Sequence, residues 1–501
     1  MTDFVSILDQ HARVQPDKPF LSASGRTISY GEFADLTRRA AAVLSGRGIV
    51  AGDRIALLCF NTPGFVIALF GAWRIGAAVV PVNHKLQAPE VDHVLRHSGS
   101  KLCLVDGALA PLATRIDHAL DWIATDSTAA GMPLFEDLLD RAAPWTASAP
   151  PAAHALAEIL YTSGTTGRPK GCLHTHANVF LAAVCAAAST SITRHERTLI
   201  AMPVWHSSPL NNWLLGTLLM GGSIVFLREY APKAFLDTLA QERISFTFGA
   251  PIAFLAPLAV VPDVKAYDFS AMRMWAYGGG PLGADMARKL ADSYGSDRFV
   301  QVYGMTESGP LGTVLYPEEA IAKAGSIGRA GVPGVAIEVR RPEGRRCTAG
   351  EVGEIHLRSP AIMTGYLDDP EASAAAFDAE GWYRTGDLAR IDEEGCLFIV
   401  DRMRDMIVTG GENVYSKEVE DVLSTHPDIQ DVAVIGRPHP EWGETVTAVL
   451  VARPGRTPDA EGLRTFLGPK LARYKIPRSY EFVEAMPRTA TGKLLKHLLR
   501  A

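Results

Sequence analysis

The sequence predicts an α/β protein, with a large N-terminal domain of several subdomains and mainly parallel sheets followed by a small α+β domain. Apolar runs at 54–59 and 78–82 have strand character, and segment 64–75 between them has the apolar spacing of a helix. The same alternation returns over 223–248, which favours a layered architecture with parallel strands. Such sheets bind ligands at the carboxyl ends of their strands.

The boundary between the two predicted domains lies after Asp401. A charged cluster begins at this residue, directly after an apolar strand at 396–400. The remainder of the chain is a unit of about a hundred residues, a common size for a domain. The Ala- and Pro-rich stretch 142–153 is a surface connection and the weaker boundary candidate. We therefore assign 1–401 to the N-terminal domain and 402–501 to the C-terminal domain.

Composition indicates a globular protein without an export signal. A formal net charge of −6 provides no basic surface for a polyanion, so we expect no nucleic-acid partner. The N-terminus lacks the basic start and apolar stretch of a signal peptide. The longest uncharged apolar stretch, 213–227, is too short to span a bilayer. Six cysteines without a C-x-x-C pair indicate reduced thiols in a cytoplasmic protein.

The strongest local signal is the segment Tyr161–Gly171, which is rich in Gly, Ser and Thr and comes directly after an apolar run. Backbone N–H groups and hydroxyls in such a loop can approach phosphate oxygens, and Lys170 adds compensating charge. The segment is not a Walker A loop, because Arg168 and Pro169 separate Lys170 from Gly167. Taken alone, it is either a polyphosphate-binding loop or a flexible linker.

Further motifs in a fixed order decide between these two interpretations. They are Ile28–Glu32, Arg74–Asn83, Tyr303–Glu307, Gly353–Ile355, Tyr383–Asp387, Asp401–Arg402 and Pro487–Lys493. With the glycine-rich segment, they make nearly the whole chain resemble the adenylate-forming superfamily of acyl-CoA synthetases, firefly luciferase and peptide-synthetase adenylation domains. The resemblance implies that a carboxylate attacks the α-phosphorus of ATP, pyrophosphate leaves, and coenzyme A (CoA) then displaces AMP from the acyl-adenylate.

The resemblance also implies roles for single residues. Glu307 is the expected Mg²⁺ ligand, and Thr306 donates its hydroxyl to the α-phosphate. Lys493 is the mobile catalytic lysine, His206 lies beside the substrate carboxylate, and Asp387 binds the ribose hydroxyls. The residues expected to bind ATP and AMP are Thr162, Ser163, Gly164, Thr165, Thr166, Gly167, Lys170, Gly279, Gly280, Pro281, Tyr303, Gly304, Thr306, Asp387, Ile399 and Arg402.

The acyl pocket and the acceptor site are implied by the same resemblance. Gly410, Gly411 and Glu412 match the loop that lines the CoA tunnel in acyl-CoA synthetases. Arg404 matches the hinge about which the C-terminal domain moves. Ser416 departs from the pattern, which commonly has Pro there. The expected acyl-pocket residues are Trp205, His206, Ser207, Ser208, Asn211, Phe248, Tyr277, Gly278, Gly304 and Pro310.

The chain is therefore predicted to be an acyl-CoA synthetase that takes ATP with Mg²⁺, CoA and a small carboxylic acid. Aromatic walls with hydroxyls and amides suit an aromatic, cyclic or medium-chain acid. Two alternatives stay open: an adenylating enzyme that passes the acyl group to an amine or a carrier protein, and a nucleotide-binding relative without turnover. A homodimer is also compatible with the resemblance.

Overall fold

The computed structural model describes residues 2–118, 120–147, 150–162, 169–280, 282–410, 412–488 and 494–500. The α-helices are α1 Phe4–Val14, α2 Tyr30–Gly46, α3 Pro63–Arg74, α4 Ala88–Ser98, α5 Ala110–Ala113, α6 Phe135–Arg141, α7 His176–Ser189, α8 Leu215–Leu219, α9 Pro232–Gln241, α10 Pro251–Val260, α11 Ala284–Tyr294, α12 Pro370–Ala375, α13 Ser416–Ser424, α14 Ala460–Leu467 and α15 Lys496–Leu499. Short 3₁₀ helices are Gly107–Leu109, Val264–Ala266, Thr306–Ser308 and Arg473–Lys475, and Ser208–Leu214 is a π-helix.

The β-strands are β1 Pro19–Ala23, β2 Arg26–Ser29, β3 Arg54–Leu58, β4 Ala78–Pro81, β5 Leu102–Asp106, β6 Asp121–Thr125, β7 Leu156–Thr162, β8 Lys170–Thr175, β9 Arg197–Ile200, β10 Ser223–Phe226, β11 Phe246–Gly249, β12 Met274–Gly278, β13 Phe299–Tyr303, β14 Thr313–Leu315, β15 Ala336–Arg340, β16 Val352–Arg358, β17 Gly365–Tyr366, β18 Tyr383–Ile391, β19 Leu397–Arg402, β20 Ile407–Thr409, β21 Glu412–Val414, β22 Ile429–His439, β23 Gly443–Ala452 and β24 Ser479–Phe482.

Two large, mainly parallel sheets form the N-terminal part of the fold. One has the strand order β14-β13-β12-β11-β9-β10-β1-β2, and the other β17-β8-β7-β4-β3-β5-β6. The predicted strand-helix-strand unit appears as β3, α3 and β4, with β3 and β4 paired in parallel. Helix α3 is buried on nearly all sides, with Pro63 at its first turn, where a missing N–H costs no hydrogen bond. The predicted α/β class is confirmed.

The chain divides into two compact units. The first comprises Met1–Ile337 and Leu357–Tyr383, and the second Glu338–His356 and Arg384–Ala501. The second unit holds most of the sheet β15-β16-β18-β19 and all of the C-terminal sheet, in which β21, β20, β23 and β22 are neighbours and β24 pairs with β23. A domain that begins at residue 402 and turns about Arg404 stays a prediction.

Within the described residues, no helix is both long enough and apolar enough to cross a membrane. All six cysteines are free, and five of them are buried.

Candidate active site

The glycine-rich segment joins two antiparallel strands. Strands β7 and β8 pair in a register that sets Thr162 opposite Lys170, so the two flanks of the segment start side by side. Ser163, Gly164, Thr165, Thr166 and Gly167 lie outside the described residues. The ammonium of Lys170 lies 3.2 Å from Asp369 and 5.1 Å from the centroid of the Tyr366 ring. The Lys170 ammonium therefore provides a positive charge where the glycine-rich segment meets β8.

The Glu307 carboxylate lies among hydroxyl groups. Its Oε1 accepts hydrogen bonds from Thr162 at 3.4 Å and from Tyr366 at 3.3 Å. Burial, and then the negative charge of Glu307, raise the pKa of Tyr366 and of the adjacent Tyr383, so both phenols keep their protons. Sequence reasoning missed both tyrosines, although Tyr383 opens one of the motifs. One carboxylate with hydroxyl neighbours fits Mg²⁺ that arrives on phosphate oxygens.

The metal-binding capacity at Glu307 is that of a single carboxylate. Among the described residues, no group of three or more His, Cys, Asp or Glu side chains is placed to hold a metal ion. A magnesium ion at Glu307 would have to take its other ligands from nucleotide and water, which is the usual arrangement for Mg²⁺ in nucleotide sites.

Thr306 lies beside the loop that carries His206. The hydroxyls of Thr306 and Ser207 are 3.2 Å apart. His206 is partly exposed, and its ring centroid lies 3.8 Å from that of Trp205. Burial, with smaller contributions from nearby His84 and Lys85, lowers the pKa of His206 to about 4. The imidazole is therefore neutral at physiological pH and has one N–H to donate and one nitrogen to accept.

Trp205 is hydrogen-bonded to His84, a residue that sequence reasoning missed. The indole N–H of Trp205 donates to Nδ1 of His84 at 3.0 Å. Burial lowers the pKa of His84 to about 4, so Nδ1 stays an acceptor at neutral pH. The ring of Phe60 packs 4.6 Å from that of His84. His84 comes directly after the motif that ends at Asn83, but nothing local to the sequence connects it to Trp205.

The acyl-pocket candidates gather around the π-helix Ser208–Leu214. The amide of Asn212 donates to the carbonyl of Pro310 at 3.1 Å, and the ring of Trp213 lies 5.6 Å from that of Phe248. Gly304 is required by close approach, since a Cβ there would lie 2.4 Å from the Pro310 oxygen. π-Helical segments often occur at functional sites.

Tyr277 takes a different position from Phe248. Its side chain is buried with Leu282, Leu290 and Phe299, whereas Phe248 packs against another core. The neighbouring Gly278, by contrast, lies next to Phe248, because a Cβ on Gly278 would come within 3.2 Å of that ring. Side chains alternate between the two faces of a strand, so the structure brings Gly278 and not the phenol of Tyr277 to Phe248.

A buried carboxyl group supports the π-helix. Oε1 of Glu158, on β7, accepts a hydrogen bond from Asn211 at 2.6 Å, and both residues are fully buried. Burial raises the pKa of Glu158 to about 7, while the bond from Asn211 opposes the shift. His174, opposite Glu158 on β8, has its pKa lowered to about 4 by burial and carries no charge that would offset it. Sequence reasoning missed Glu158, whose signal is a lone acid in an apolar strand.

The expected adenine-binding residues lie at the ends of two adjacent parallel strands. Gly278, at the end of β12, pairs with Val302 of β13, so Gly279 and Tyr303, the last residue of β13, lie at the same edge of the sheet. Gly279 has φ of +81°, a conformation that favours glycine, and a Cβ on Gly280 would meet no atom within 4 Å. Pro281 lies outside the described residues.

The second unit carries the expected ribose carboxylate. Asp387 on β18 faces Arg402 on β19, and Oδ1 of Asp387 lies 3.3 Å from Nε of Arg402. Asp387 is 5% exposed, whereas the Arg402 side chain is 41% exposed, so the pair is open on the arginine side. Ile399 lies on the same strand, opposite Ala389.

The remaining candidates of the second unit lie at turns and strand ends. The carbonyl of Arg404 accepts a hydrogen bond from Arg500 at 3.2 Å. Gly410 has φ of +59° and donates its N–H to Trp442, and Glu412 pairs with Thr409 across β20 and β21. Gly411 and Lys493 lie outside the described residues.

Two protein families and several characterised enzymes are similar to this chain. The family described as AMP-binding enzyme matches residues 8–367, and its C-terminal domain family matches residues 418–493. The chain is 36% identical to a feruloyl-CoA synthase of Amycolatopsis, over 98% of this chain and 97% of that protein. It is 34% identical to a fatty acid–[acyl-carrier-protein] ligase of Streptomyces coeruleorubidus, over 98% and 94%.

A solved structure gives the same result. The o-succinylbenzoate CoA synthetase of Bacillus subtilis, in complex with its acyl-adenylate intermediate, superposes with a TM-score of 0.87 at 29% identity, over 99% of this chain and 98% of that one.

Proposed function

Because this chain belongs to the AMP-binding enzyme family and is an AMP-forming carboxylate–CoA ligase, we propose that Thr306, Glu307, Lys170 and Lys493 carry its adenylation step and that its acid is aromatic, cyclic or medium-chain. The observation that supports this best is the Glu307 carboxylate, which lies within hydrogen-bond reach of Thr162 while Lys170 stands opposite Thr162.

In the first step, an oxygen of the substrate carboxylate forms a bond to the α-phosphorus of ATP, and the bond to pyrophosphate breaks. Two anions must approach, so preorganised positive charge and hydrogen-bond donors stabilise the transition state. Mg²⁺ bound at Glu307 would neutralise phosphate charge. Lys170 supplies charge at the polyphosphate, and the Thr306 hydroxyl donates to an α-phosphate oxygen. Neutral His206 donates its N–H to the substrate carboxylate and orients it.

In the second step, the thiol sulfur of CoA bonds to the acyl carbon, and AMP leaves with the electron pair of the broken C–O bond. The thiol proton passes to solvent or to AMP. The role of Gly410 and Glu412 along the path of CoA, and the roles of Asp387 and Arg402 at the ribose, are proposals that rest on the resemblance. The partly exposed Asp387–Arg402 pair supports the second of them.

The acid class rests on the walls of the candidate pocket. Phe248, Trp213 and Trp205 supply aromatic surface, and Ser207 and Asn212 add polar groups. Apolar walls with a few placed polar groups are typical of sites for small organic ligands. One of the similar proteins is a feruloyl-CoA synthase, and feruloyl-CoA is an aromatic acyl thioester.

The deciding experiment measures pyrophosphate release over a panel of acids, with MgATP and without CoA. Cinnamic, cyclic and medium-chain acids should be turned over, and acetate and long-chain acids should be poor substrates. The nucleotide product should be AMP, and ADP would contradict the mechanism. Activity should vanish with EDTA and return with Mg²⁺. Turnover limited to long-chain acids would refute the acid class and leave the adenylation chemistry standing.

A parallel assay supplies CoA, an amine or an acyl-carrier protein to the acyl-adenylate. We expect CoA to react fastest, and faster reaction of the carrier protein would reassign the acceptor. A homodimer in the cytoplasm is also proposed, and light scattering after size-exclusion chromatography measures the oligomeric state.

A further inference from the structure

Ser416 occupies the position where the acyl-CoA synthetase pattern commonly has Pro. It is the first residue of α13 and is fully buried. Its backbone N–H donates to Oδ2 of Asp401, and its hydroxyl donates to Oδ1 of the same carboxylate at 3.1 Å. Proline has neither donor, so these two hydrogen bonds belong to the serine in this chain.

The Ser416 hydroxyl also accepts a hydrogen bond. The ammonium of Lys496 donates to Oγ of Ser416 at 2.6 Å and forms an ion pair with Glu420 at 2.7 Å. Glu420 in turn accepts from the backbone N–H of Val434 at 2.7 Å. Ser416 therefore stands between a buried carboxylate, Asp401, and a largely buried ammonium. The hydroxyl donates its proton to Asp401 and accepts the hydrogen bond from Lys496 with a lone pair.

Lys496 is tied to the base of the segment that carries Lys493. Arg488 and Leu494 form an antiparallel bridge, and the N–H of Leu495 donates to the carbonyl of Pro487 at 2.8 Å. We call these four residues, Pro487, Arg488, Leu494 and Leu495, the loop base. Lys493 comes directly before Leu494 in the sequence.

The two sides of the loop base are anchored differently. Arg488 pairs with Asp431 at 2.7 Å, and both side chains are substantially exposed. Exposed pairs contribute little to rigidity or stability. Lys496, one residue beyond the loop base, is 12% exposed and holds two partners. The stronger anchor is therefore on the Lys496 side, and it passes through Ser416 to Asp401.

We propose that Ser416 is a positioning residue for adenylation: through Lys496 it fixes the loop base that presents Lys493, and through Asp401 it couples that base to the strand end at Arg402. The proposal rests on the proposed catalytic role of Lys493. A catalytic ammonium must be held in place to stabilise a transition state, and small displacements reduce rates steeply. Ser416 itself touches no substrate.

Proline at this position should be tolerated by the fold. Position 416 is the first residue of a helix, where Pro is favoured, and Tyr415 before it has extended backbone with φ −82° and ψ 114°. Ser416→Pro therefore removes both donors and the acceptor without breaking α13. The family-typical residue should be the worse residue in this chain.

The test compares Ser416→Ala and Ser416→Pro with Ser424→Ala. Ser424 lies at the other end of α13 and is exposed, and its hydroxyl donates to the carbonyl of Asp421 within the same helix. Two rates are measured: pyrophosphate release from acid and ATP, and thioester formation from synthetic acyl-adenylate and CoA. Both Ser416 variants should lose about ten- to a hundredfold in kcat of the first reaction and less than about threefold in the second. Ser424→Ala should match the wild type in both.

A second pair of variants changes Lys496, at the other end of the hydrogen-bond chain Asp401–Ser416–Lys496. Lys496→Met should show the same selective loss, and Lys496→Arg, which keeps a charged donor, should recover part of it. Equal loss in both reactions would show that this hydrogen-bond chain is merely structural and would overturn the proposal. Unchanged adenylation in Ser416→Pro would overturn it as well.

Lys493→Ala separates failure of this proposal from failure of the proposed function. If Lys493→Ala abolishes adenylation while the Ser416 variants behave like Ser424→Ala, only the positioning role of Ser416 is refuted. If Lys493→Ala keeps full adenylation, the role of Lys493 falls and the positioning proposal falls with it.

Discussion

Replacement of Glu158 by Gln should change how the stability of this enzyme depends on pH. Burial raises the pKa of Glu158 from an ordinary 4.5 to about 7. The folded state therefore keeps a proton that the unfolded state releases between these two values. The contribution of Glu158 to stability is fully present below pH 4.5 and is lost as pH rises toward 7, above which it stays constant.

The size of the effect comes from the shift. At about 1.4 kcal/mol for each pH unit, the loss between pH 4.5 and 7 is roughly 3 kcal/mol for a fully buried group. Glutamine keeps an acceptor for Asn211 and does not titrate. For a unit the size of the first one, with about 2 cal/mol/K of unfolding entropy per residue, this corresponds to roughly 4 °C in Tm.

The assay is thermal unfolding of wild type and Glu158→Gln between pH 4.5 and 8.5 at constant ionic strength. The difference in Tm between the two proteins should move by roughly 4 °C in favour of the variant as pH rises. Glu318→Gln, at an exposed position, is the control and should leave the difference flat. Parallel curves for wild type and Glu158→Gln would refute a raised pKa for the Glu158 carboxyl.

Four further predictions concern catalysis. Glu307→Gln should lower kcat for pyrophosphate release by about 10²- to 10³-fold, as loss of a transition-state electrostatic group does, and should raise the Mg²⁺ concentration for half-maximal rate; an unchanged Mg²⁺ dependence would contradict a role in metal binding. Lys493→Ala should lose adenylation by about 10²-fold or more while thioester formation from synthetic acyl-adenylate stays near wild type, and similar losses in both would assign Lys493 to structure. His84→Ala should lower kcat/KM for the acid by about three- to tenfold, and in combination with Trp205→Phe should cost little more than either change alone, because both remove one hydrogen bond; additive losses in the double-mutant cycle would show that the contact does not matter. Arg404→Pro, which fixes φ at the predicted hinge, should slow thioester formation more than adenylation, and stopped-flow measurement of the two half-reactions decides this.

Much of the fold was predictable because it is written in short stretches of sequence. The strand-helix-strand unit β3, α3, β4 is encoded by two apolar runs around a helical pattern, and the structure confirms it. The family was predictable for a similar reason, since its motifs are contiguous and occur in a fixed order. The class of reaction came with the family.

The environment of each catalytic candidate, by contrast, depends on residues far apart in the chain. Glu307 accepts from Tyr366, 59 residues away, and Asn211 bonds Glu158 at a separation of 53. No local pattern encodes such pairs, because they depend on the order in which strands join a sheet and on which elements cover it. The sequence therefore identified candidate residues but not the residues that they contact in the fold.

The sequence by itself therefore determined the fold class, the family and the order of the chemical steps, because periodicity and contiguous motifs are properties of short segments. Tertiary structure alone decided that Tyr277 faces away from Phe248, that burial raises the pKa of Glu158, and that Ser416 joins Asp401 to Lys496. The physical reason is that burial, pKa and hydrogen bonding belong to the packed environment of a side chain, and packing unites residues that the sequence separates.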